Sequence, residues 1–233
     1  MCNIQVIILK IEVLMKKKQV LAALEYLDKL SQNDYQINDA VQDLMDFANE
    51  YIHEDEAAPI TQSVGEFLVT SEAKELNAYT VYSDGACRGN PGPGSWGVVG
   101  QDVNGVVLFE QSEFHPETTN NRMELLGATK ALEYMIRHLA DEKKPQSTAV
   151  ILYSDSKYVI DGYEKWLPNW KARGWKKADK KEPENLDLWQ KFDFIAAKFK
   201  NLSFRWVKGH SGHPQNERCD QLANQILDDN LNI

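Results

Sequence analysis

The order of predicted strands and helices between residues 79 and 153 most constrains the fold. Residues 79–82 are β-branched and aromatic, and two further strand-like segments cover residues 96–99 and 106–109. Asn104-Gly105 lies just before the third segment, and Asn-Gly is a strong signal for a tight β-hairpin. The pattern therefore predicts an antiparallel meander of three strands.

A helix and a buried strand follow this meander. Residues 121–139 carry apolar side chains at helical spacing, and residues 149–153 form a nearly continuous apolar run, which is typical of a strand buried on both faces. Further helices are predicted at 156–163, 185–199 and 215–227, with a last strand at 202–207. An antiparallel meander followed by a helix and a buried strand indicates an α/β fold with a mixed sheet of five strands.

The N-terminal third has a different pattern. Apolar residues recur at helical spacing in residues 17–30 and 38–52, which predicts a small helical hairpin. We therefore divide the chain into an N-terminal extension at 1–53, a linker at 54–77 and a catalytic domain at 78–233. Met15 is an alternative start to Met1.

Charge separates the same two parts. The whole chain has a net charge of -9, but residues 1–77 carry 6 Lys and 14 acidic residues, a net of -8. Residues 164–181 carry seven basic and two acidic side chains, a local net of +5. The acidity that would repel nucleic acid thus belongs mainly to the extension, and the basic segment is a candidate phosphate-binding surface.

The three cysteines, Cys2, Cys87 and Cys219, are too few and too scattered for a disulfide framework. The apolar segment 1–14 is interrupted by Lys10 and Glu12 and is too short to span a bilayer. We expect a cytoplasmic protein with no membrane partner.

Four acidic residues are candidate ligands or catalysts, although each has a simpler explanation. Asp84 and Asp155 follow predicted strands that would end at one sheet edge, but Asp is also common in turns and helix caps. Glu124 could complete a capping box with Asn121, and Asp220 could complement the positive end of the last helix. Individually, none of the four is diagnostic.

The sequence around these acids is more specific. Asp84 lies in YSDGACRGNPGPG, Glu124 in TTNNRMEL, Asp155 in YSDSKYV and Asp220 in NERCD, with WVKGHSGHP before the last motif. This ordered set resembles ribonuclease H of the bacterial type I class over residues 78–230. The resemblance implies three antiparallel strands extended by two parallel ones, helices on both faces, and the acids clustered at one edge.

The resemblance also implies an activity, namely endonucleolytic hydrolysis of the RNA strand of RNA/DNA hybrids, giving 5′-phosphate and 3′-hydroxyl ends. Four carboxylates without clustered Cys or His favour two Mg²⁺ ions, with Mn²⁺ as a possible substitute. Asp84 would bridge both ions, and Glu124, Asp155 and Asp220 would complete their ligands. His210, in the glycine-flanked GHSG loop, would assist leaving-group protonation or product and metal release, whereas His213 is expected to cap a helix or pack.

The residues expected to bind the hybrid fall into two groups. The first surrounds the acids and comprises Gly85, Cys87, Asn90, Thr119, Asn120 and Asn121. The second lies in the basic segment, where aromatic rings would follow the DNA sugars and lysines would meet phosphates; it comprises Trp166, Asn169, Trp170, Lys171, Trp175, Lys176 and Lys177. Glu117 departs from the family, because many relatives place an arginine there near a DNA phosphate.

Two other functions remain open: a hybrid-binding protein without hydrolytic activity, and a relative of the integrases or resolvases that share the fold. The four intact carboxylates disfavour the first and the basic segment disfavours the second. The acidic hairpin does not resemble the hybrid-binding module of some ribonucleases H. It could bind a protein partner, self-associate, pack on the catalytic domain or be a folded extension without such a role.

Overall fold

The computed structural model describes residues 67–233, so the predicted N-terminal hairpin and most of the predicted linker lie outside the described residues. The helices of this part are α1 (Ser71–Leu76), α2 (Asn120–Asp141), α3 (Lys157–Asp161), α4 (Leu167–Ala172), α5 (Leu186–Ala196) and α6 (Pro214–Leu231). The strands are β1 (Tyr79–Cys87), β2 (Gly92–Gln101), β3 (Val107–Thr118), β4 (Val150–Ser154) and β5 (Leu202–Trp206).

The strands form one mixed sheet in the order β3-β2-β1-β4-β5. β1 and β3 both run antiparallel to β2, while β1, β4 and β5 run parallel to one another. The predicted five-stranded sheet is confirmed. Asn104-Gly105 lies in the turn between β2 and β3, where Gly105 has a φ of 94°.

Side chains alternate between two buried layers along the strands, as the pleat requires. Val81 and its neighbours on that face pack with α2 and α5 around Trp189. Tyr82 and the opposite face pack with Cys219 of α6 and Ala73 of α1. Helices therefore cover both faces, and both surfaces of the central strand β1 are buried.

β1 is longer than predicted. The first strand was predicted only over residues 79–82, but Gly85 and Cys87 are still paired with β2. A β-carbon at Gly85 would lie 2.5 Å from the backbone nitrogen of Glu124. Glycine is present here because α2 begins directly against the strand.

Residues 67–77 differ from the linker predicted for them. Ala73 of α1 is completely buried, and the Thr70 hydroxyl is 2.8 Å from the Tyr153 hydroxyl. Glu72 pairs with Arg205 of β5. The composition of this segment gives no strong signal, but Ala73, Phe67 and Val69 pack on the α6 face of the sheet.

The predicted helix at 156–163 is also modified. α3 ends at Asp161, a π-helical turn covers Gly162–Trp166, and α4 follows directly. A β-carbon at Gly162 would lie 2.2 Å from the Trp189 ring. This irregular helical segment holds the basic residues close to the N-terminal end of α2.

Candidate functional site

Three carboxylates from three elements converge at one edge of the sheet. Asp84 lies on β1, Asp155 follows β4, and Glu124 lies in the first turns of α2. One oxygen from each lies within 4.8 Å of the others. β1 and β4 are adjacent and parallel, with Ser83 opposite Ser154, so the aspartates that follow these serines must be neighbours.

Glu124 does not form the capping box that was considered for it. The N-cap of α2 is Thr119, whose hydroxyl accepts a hydrogen bond from the backbone N–H of Arg122. The Glu124 carboxylate instead accepts a hydrogen bond from the Asn120 amide at 3.3 Å through Oε1. Its buried Oε2 has no hydrogen-bond partner among the described residues.

The three carboxylates are electrostatically unfavourable to one another. Burial, followed by the charge of Asp155, raises the pKa of Asp84 to about 7, although the backbone N–H of Gly85 donates to its Oδ1 at 2.7 Å. Burial and the charges of Asp84 and Asp155 also raise the pKa of Glu124 well above its usual value.

This arrangement fits divalent cations. The donors are hard carboxylate oxygens, and a buried oxygen without a partner is free to act as a ligand. A cation between the three groups would offset both the mutual repulsion and the cost of burial.

Asp155 is held by three residues that were not predicted as site residues. The Asn216 side-chain amide donates to Asp155 Oδ2 at 3.2 Å, and the Trp206 indole N–H donates to the Asp155 backbone carbonyl at 2.9 Å. A β-carbon at Gly209 would lie 2.4 Å from Oδ2. The sequence could have indicated Asn216 as a site residue, because it lies four residues before Asp220 on one helix and therefore on the same helix face.

Asp220 and His210 lie around this cluster. Asp220 is not among the three carboxylates that lie within 4.8 Å of one another, but its charge raises the pKa of Asp84. The Asn224 amide donates to Asp220 Oδ1 at 2.7 Å. His210 is exposed in the turn before α6 with a φ of 49°, and His213 is the N-cap of α6, although its side chain makes no capping hydrogen bond.

Polar residues from the first predicted binding group line one side of the cluster. The Asn90 side-chain oxygen accepts a hydrogen bond from the backbone N–H of Asn120 at 3.3 Å. Cys87 lies beside the β3 end, with its sulfur 3.8 Å from the Thr118 carbonyl. Burial, followed by the charge of Glu117, raises the pKa of the Cys87 thiol, so Glu117 introduces negative charge into this surface.

Three residues of the second group, Trp166, Trp170 and Lys177, line a groove of about 480 Å³. Trp166 and Trp170 lie with ring centroids 5.9 Å apart. The groove is lined by these two tryptophans together with Asn121, Tyr158, Lys177, Pro183 and Glu184. The structure thus joins the basic segment to the N-terminal end of α2, which carries Glu124.

The remaining predicted residues of the basic segment have different environments. Lys171 forms an ion pair with Asp193 at 2.6 Å, and the Asn169 amide donates to the Lys165 carbonyl at 2.7 Å. Trp175 is half-buried, while Lys176 is exposed. Lys177 and Lys176 are therefore better placed than Lys171 to meet a phosphate.

The comparisons with known proteins agree with this architecture. The RNase H family model matches residues 76–228. The chain belongs to the RNase H family. The fold and the sequence motifs thus place the RNase H domain in the same part of the chain, from β1 to α6.

Curated relatives match this domain closely. The chain is 47% identical to a protein named Ribonuclease H from Alcanivorax borkumensis over 154 residues, which is 64% of this chain and 91% of that protein. It is 50% identical over 150 residues to Ribonuclease H of Cupriavidus necator, covering 64% of this chain and 95% of that protein.

Solved structures give the same result. LC11-RNase H1 in complex with an RNA/DNA hybrid has a TM-score of 0.51 and 30% identity, covering 66% of this chain and 99% of that one. The N-terminal RNase H domain of Rv2228c from Mycobacterium tuberculosis has a TM-score of 0.51 and 26% identity, covering 66% of this chain and 96% of that one. Ribonucleases of this family use divalent metal ions, and the buried carboxylates suit that requirement. Within residues 67–233, no helix is long and apolar enough to cross a bilayer.

Proposed function

We propose that this protein is an endonuclease that hydrolyses the RNA strand of RNA/DNA hybrids and leaves 5′-phosphate and 3′-hydroxyl ends. The observation that carries the proposal is the convergence of the Asp84, Glu124 and Asp155 oxygens within 4.8 Å of one another. The 47–50% identity to proteins named Ribonuclease H and the similarity to a hybrid-bound RNase H1 support it.

Two Mg²⁺ ions are the proposed cofactors, with Mn²⁺ as a substitute. Asp84 would contribute to both ions, and Glu124, Asp155 and Asp220 would complete the ligand set. The bound ions supply a more acidic attacking water and stabilise charge on the departing 3′ oxygen. The Glu124 Oε2, which has no hydrogen-bond partner among residues 67–233, supports this assignment, because a cation would give that buried oxygen a partner and would offset the mutual repulsion of the three converging carboxylates.

The surrounding side chains hold the substrate in this proposal. Gly85, Cys87, Asn90, Asn120 and Asn121 would contact the backbone and the 2′-hydroxyl groups, which distinguish RNA from DNA. Thr119 serves as the N-cap of α2 and places Asn120 at the helix start, where backbone N–H groups favour phosphate.

The groove beside Trp166 and Trp170 would receive the DNA strand. Aromatic faces are suited to sugars and bases without sequence preference, and Lys176 and Lys177 add positive charge at the same surface. Trp175 would support the segment, since it is half-buried and its backbone N–H donates to the Trp170 carbonyl at 2.7 Å. Asn169 and Lys171 would also contact the DNA strand, although in the structure Asn169 donates to the Lys165 carbonyl and Lys171 pairs with Asp193.

His210 would carry a proton to or from the reacting strand, because it is exposed on the turn that begins at Gly209 and passes against Asp155. The reducing cytoplasm is the proposed compartment, which the free thiols of Cys87 and Cys219 support.

The test is cleavage of an end-labelled RNA/DNA duplex by the full chain with Mg²⁺, in parallel with the Asp84→Asn variant. We expect internal cuts in the RNA strand only, 5′-phosphate ends on the downstream fragments, and loss of at least about a hundredfold in rate for Asp84→Asn. Double-stranded RNA and double-stranded DNA of the same sequence are the controls. A wild-type protein that binds the hybrid but leaves it intact with both Mg²⁺ and Mn²⁺ would contradict the proposal.

A further inference from the structure

The first turn of α6 is joined to the chain just before α1 by hydrogen bonds to backbone carbonyls. We call residues 67–70 the strap. The Leu68 carbonyl accepts a hydrogen bond from the Gln215 side-chain amide at 2.9 Å, and the Phe67 carbonyl accepts one from the Gln101 amide at 3.4 Å. The Leu68 side chain is 86% exposed. Leu68 therefore contacts α6 through its carbonyl and not through its side chain.

The two glutamines belong to one buried polar network. Gln215 is 2% exposed, and Gln101 is completely buried. The Gln215 amide also donates to Gln101 Oε1 at 3.0 Å, and the Gln101 amide also donates to the Gly105 carbonyl at 3.0 Å. Each amide nitrogen thus has two acceptors, one of which is a strap carbonyl. Displacement of the strap would leave buried N–H groups without an acceptor, which destabilises the folded state.

The first turn of α6 is held by contacts with other segments. His213 is its N-cap but makes no side-chain capping hydrogen bond within the described part of the chain. The Glu217 carboxylate accepts a hydrogen bond from the Gly212 N–H at 3.0 Å, while Gln215 joins the turn to the strap and to β2. The position of this turn therefore depends on Gln215 and its acceptors.

Asn216 connects this turn to the carboxylate cluster. Gln215 and Asn216 are consecutive, and the Asn216 amide donates to Asp155 Oδ2 at 3.2 Å. Asp220 lies four residues after Asn216 on the same face of α6. A small shift of the first turn would change the contact between Asn216 and Asp155 and would move Asp220 at the same time.

We propose that the strap positions the metal site through Gln215. The Leu68 carbonyl holds the first turn of α6, and this turn sets the geometry of Asn216 and Asp220 around Asp155. The inference rests on the proposed function, because it needs divalent cations at these carboxylates. Gln215 and the strap act as positioning elements, since they orient the groups that orient the metal ligands.

The first test compares Mn²⁺ binding by the full chain with and without Gln215→Met, measured by water-proton relaxation in the absence of nucleic acid. Methionine keeps the length of the side chain and removes both hydrogen bonds. The dissociation constant for Mn²⁺ should rise about threefold to tenfold, which is less than the roughly 10- to 100-fold effect of losing a residue that contacts a metal ligand directly.

Ser95→Ala is the matched control for Gln215→Met. The Ser95 hydroxyl is also buried and also joins the sheet to α6, but it donates to the Ala223 carbonyl, further along the helix. Its loss removes a buried hydrogen bond without affecting the first turn. Mn²⁺ binding should therefore be unchanged in Ser95→Ala.

A second pair of variants tests the strap itself. Phe67→Ala removes a ring that packs on the α6 face of the sheet. It should raise the Mn²⁺ dissociation constant about threefold in the Gln215 protein and cause no further rise in the Gln215→Met protein. Leu68→Ala is its control and should have no effect, because it shortens an exposed side chain and keeps the carbonyl.

Amide hydrogen exchange in EDTA gives a readout that does not depend on metal. In Gln215→Met, the Gly212 and Glu217 amides should exchange at least about threefold faster relative to Leu152 of β4, and Ser95→Ala should leave this ratio unchanged.

Equal Mn²⁺ affinities for Gln215→Met and Ser95→Ala, or additive effects of Phe67→Ala and Gln215→Met, would overturn the inference while leaving the proposed function intact. If Gln215→Met does not fold, equal affinities for Phe67→Ala and Leu68→Ala would overturn it. A wild-type protein without saturable Mn²⁺ binding would instead overturn the proposed function.

Discussion

Replacing Asp84 with asparagine should stabilise the protein when divalent ions are absent. Asp84 is 8% exposed, and burial together with Asp155 raises its pKa from 3.8 to about 7. The folded protein therefore retains a proton on Asp84 at pH values where the unfolded chain has lost it. Asparagine has nearly the same shape, keeps an oxygen for the Gly85 N–H, and has no charge to bury.

The size of the effect follows from the pKa difference. Each pKa unit corresponds to about 1.4 kcal/mol, so a shift of about 3 units costs the folded wild type about 4 kcal/mol when Asp84 is fully ionised. The pKa of Asp84 is higher in the folded protein than in the unfolded chain, so protonated Asp84 stabilises the folded state fully below about pH 4. This stabilisation is lost as the pH rises through about 7. The advantage of Asp84→Asn should thus be small at pH 4.5 and largest above pH 8.

Urea unfolding of the full chain in EDTA at pH 4.5 and pH 8.5 would measure this difference. The exposed Glu164→Gln substitution is the control and should change the free energy of unfolding by less than about 0.5 kcal/mol at either pH. Saturating Mg²⁺ should stabilise the wild type and reduce or reverse the advantage of Asp84→Asn, because ligands bind the folded state. If Asp84→Asn is neutral or destabilising at pH 8.5 in EDTA, the electrostatic account of the cluster is incorrect.

Three other perturbations test how the fold positions the site. Gly85→Ala should reduce cleavage and should lower the free energy of unfolding by about 1–3 kcal/mol, because the new β-carbon would lie 2.5 Å from the Glu124 backbone nitrogen. A urea midpoint equal to that of the wild type would contradict this. Asn216→Ala should raise the Mg²⁺ concentration needed for half-maximal cleavage by roughly 10- to 100-fold, since Asp155 loses its side-chain donor; an unchanged metal titration would show that the contact is unimportant. Ala73→Asp should destabilise the domain by about 2–4 kcal/mol, because it buries a charge at a completely buried position, and an unchanged thermal midpoint would exclude residues 67–77 from the cooperative unit.

The sequence predicted the sheet because its signals are local. Alternation, the Asn104-Gly105 turn and the apolar run at 149–153 each arise within a few residues, and together they permit few topologies. Asp84 and Asp155 could be placed at one edge from the same information, since strand ends of parallel neighbours must coincide. The motifs around these residues then indicated the family.

Other features depended on contacts between distant segments. The covering role of residues 67–77 depends on Tyr153 and Arg205, which are more than 80 residues away, so no local pattern could reveal it. Likewise, the strand predicted at residues 79–82 extends through Gly85 in the structure, because glycine lets α2 approach the strand closely at this position.

The sequence by itself therefore determined the sheet, the family and the identity of the acidic residues. Only the tertiary structure decided which oxygen of Glu124 lacks a hydrogen-bond partner among residues 67–233, which side chain orients Asp155, and where Trp206 is exposed. These properties depend on packing distances of a few ångströms between separate elements, and such distances are set by the whole fold rather than by any one segment.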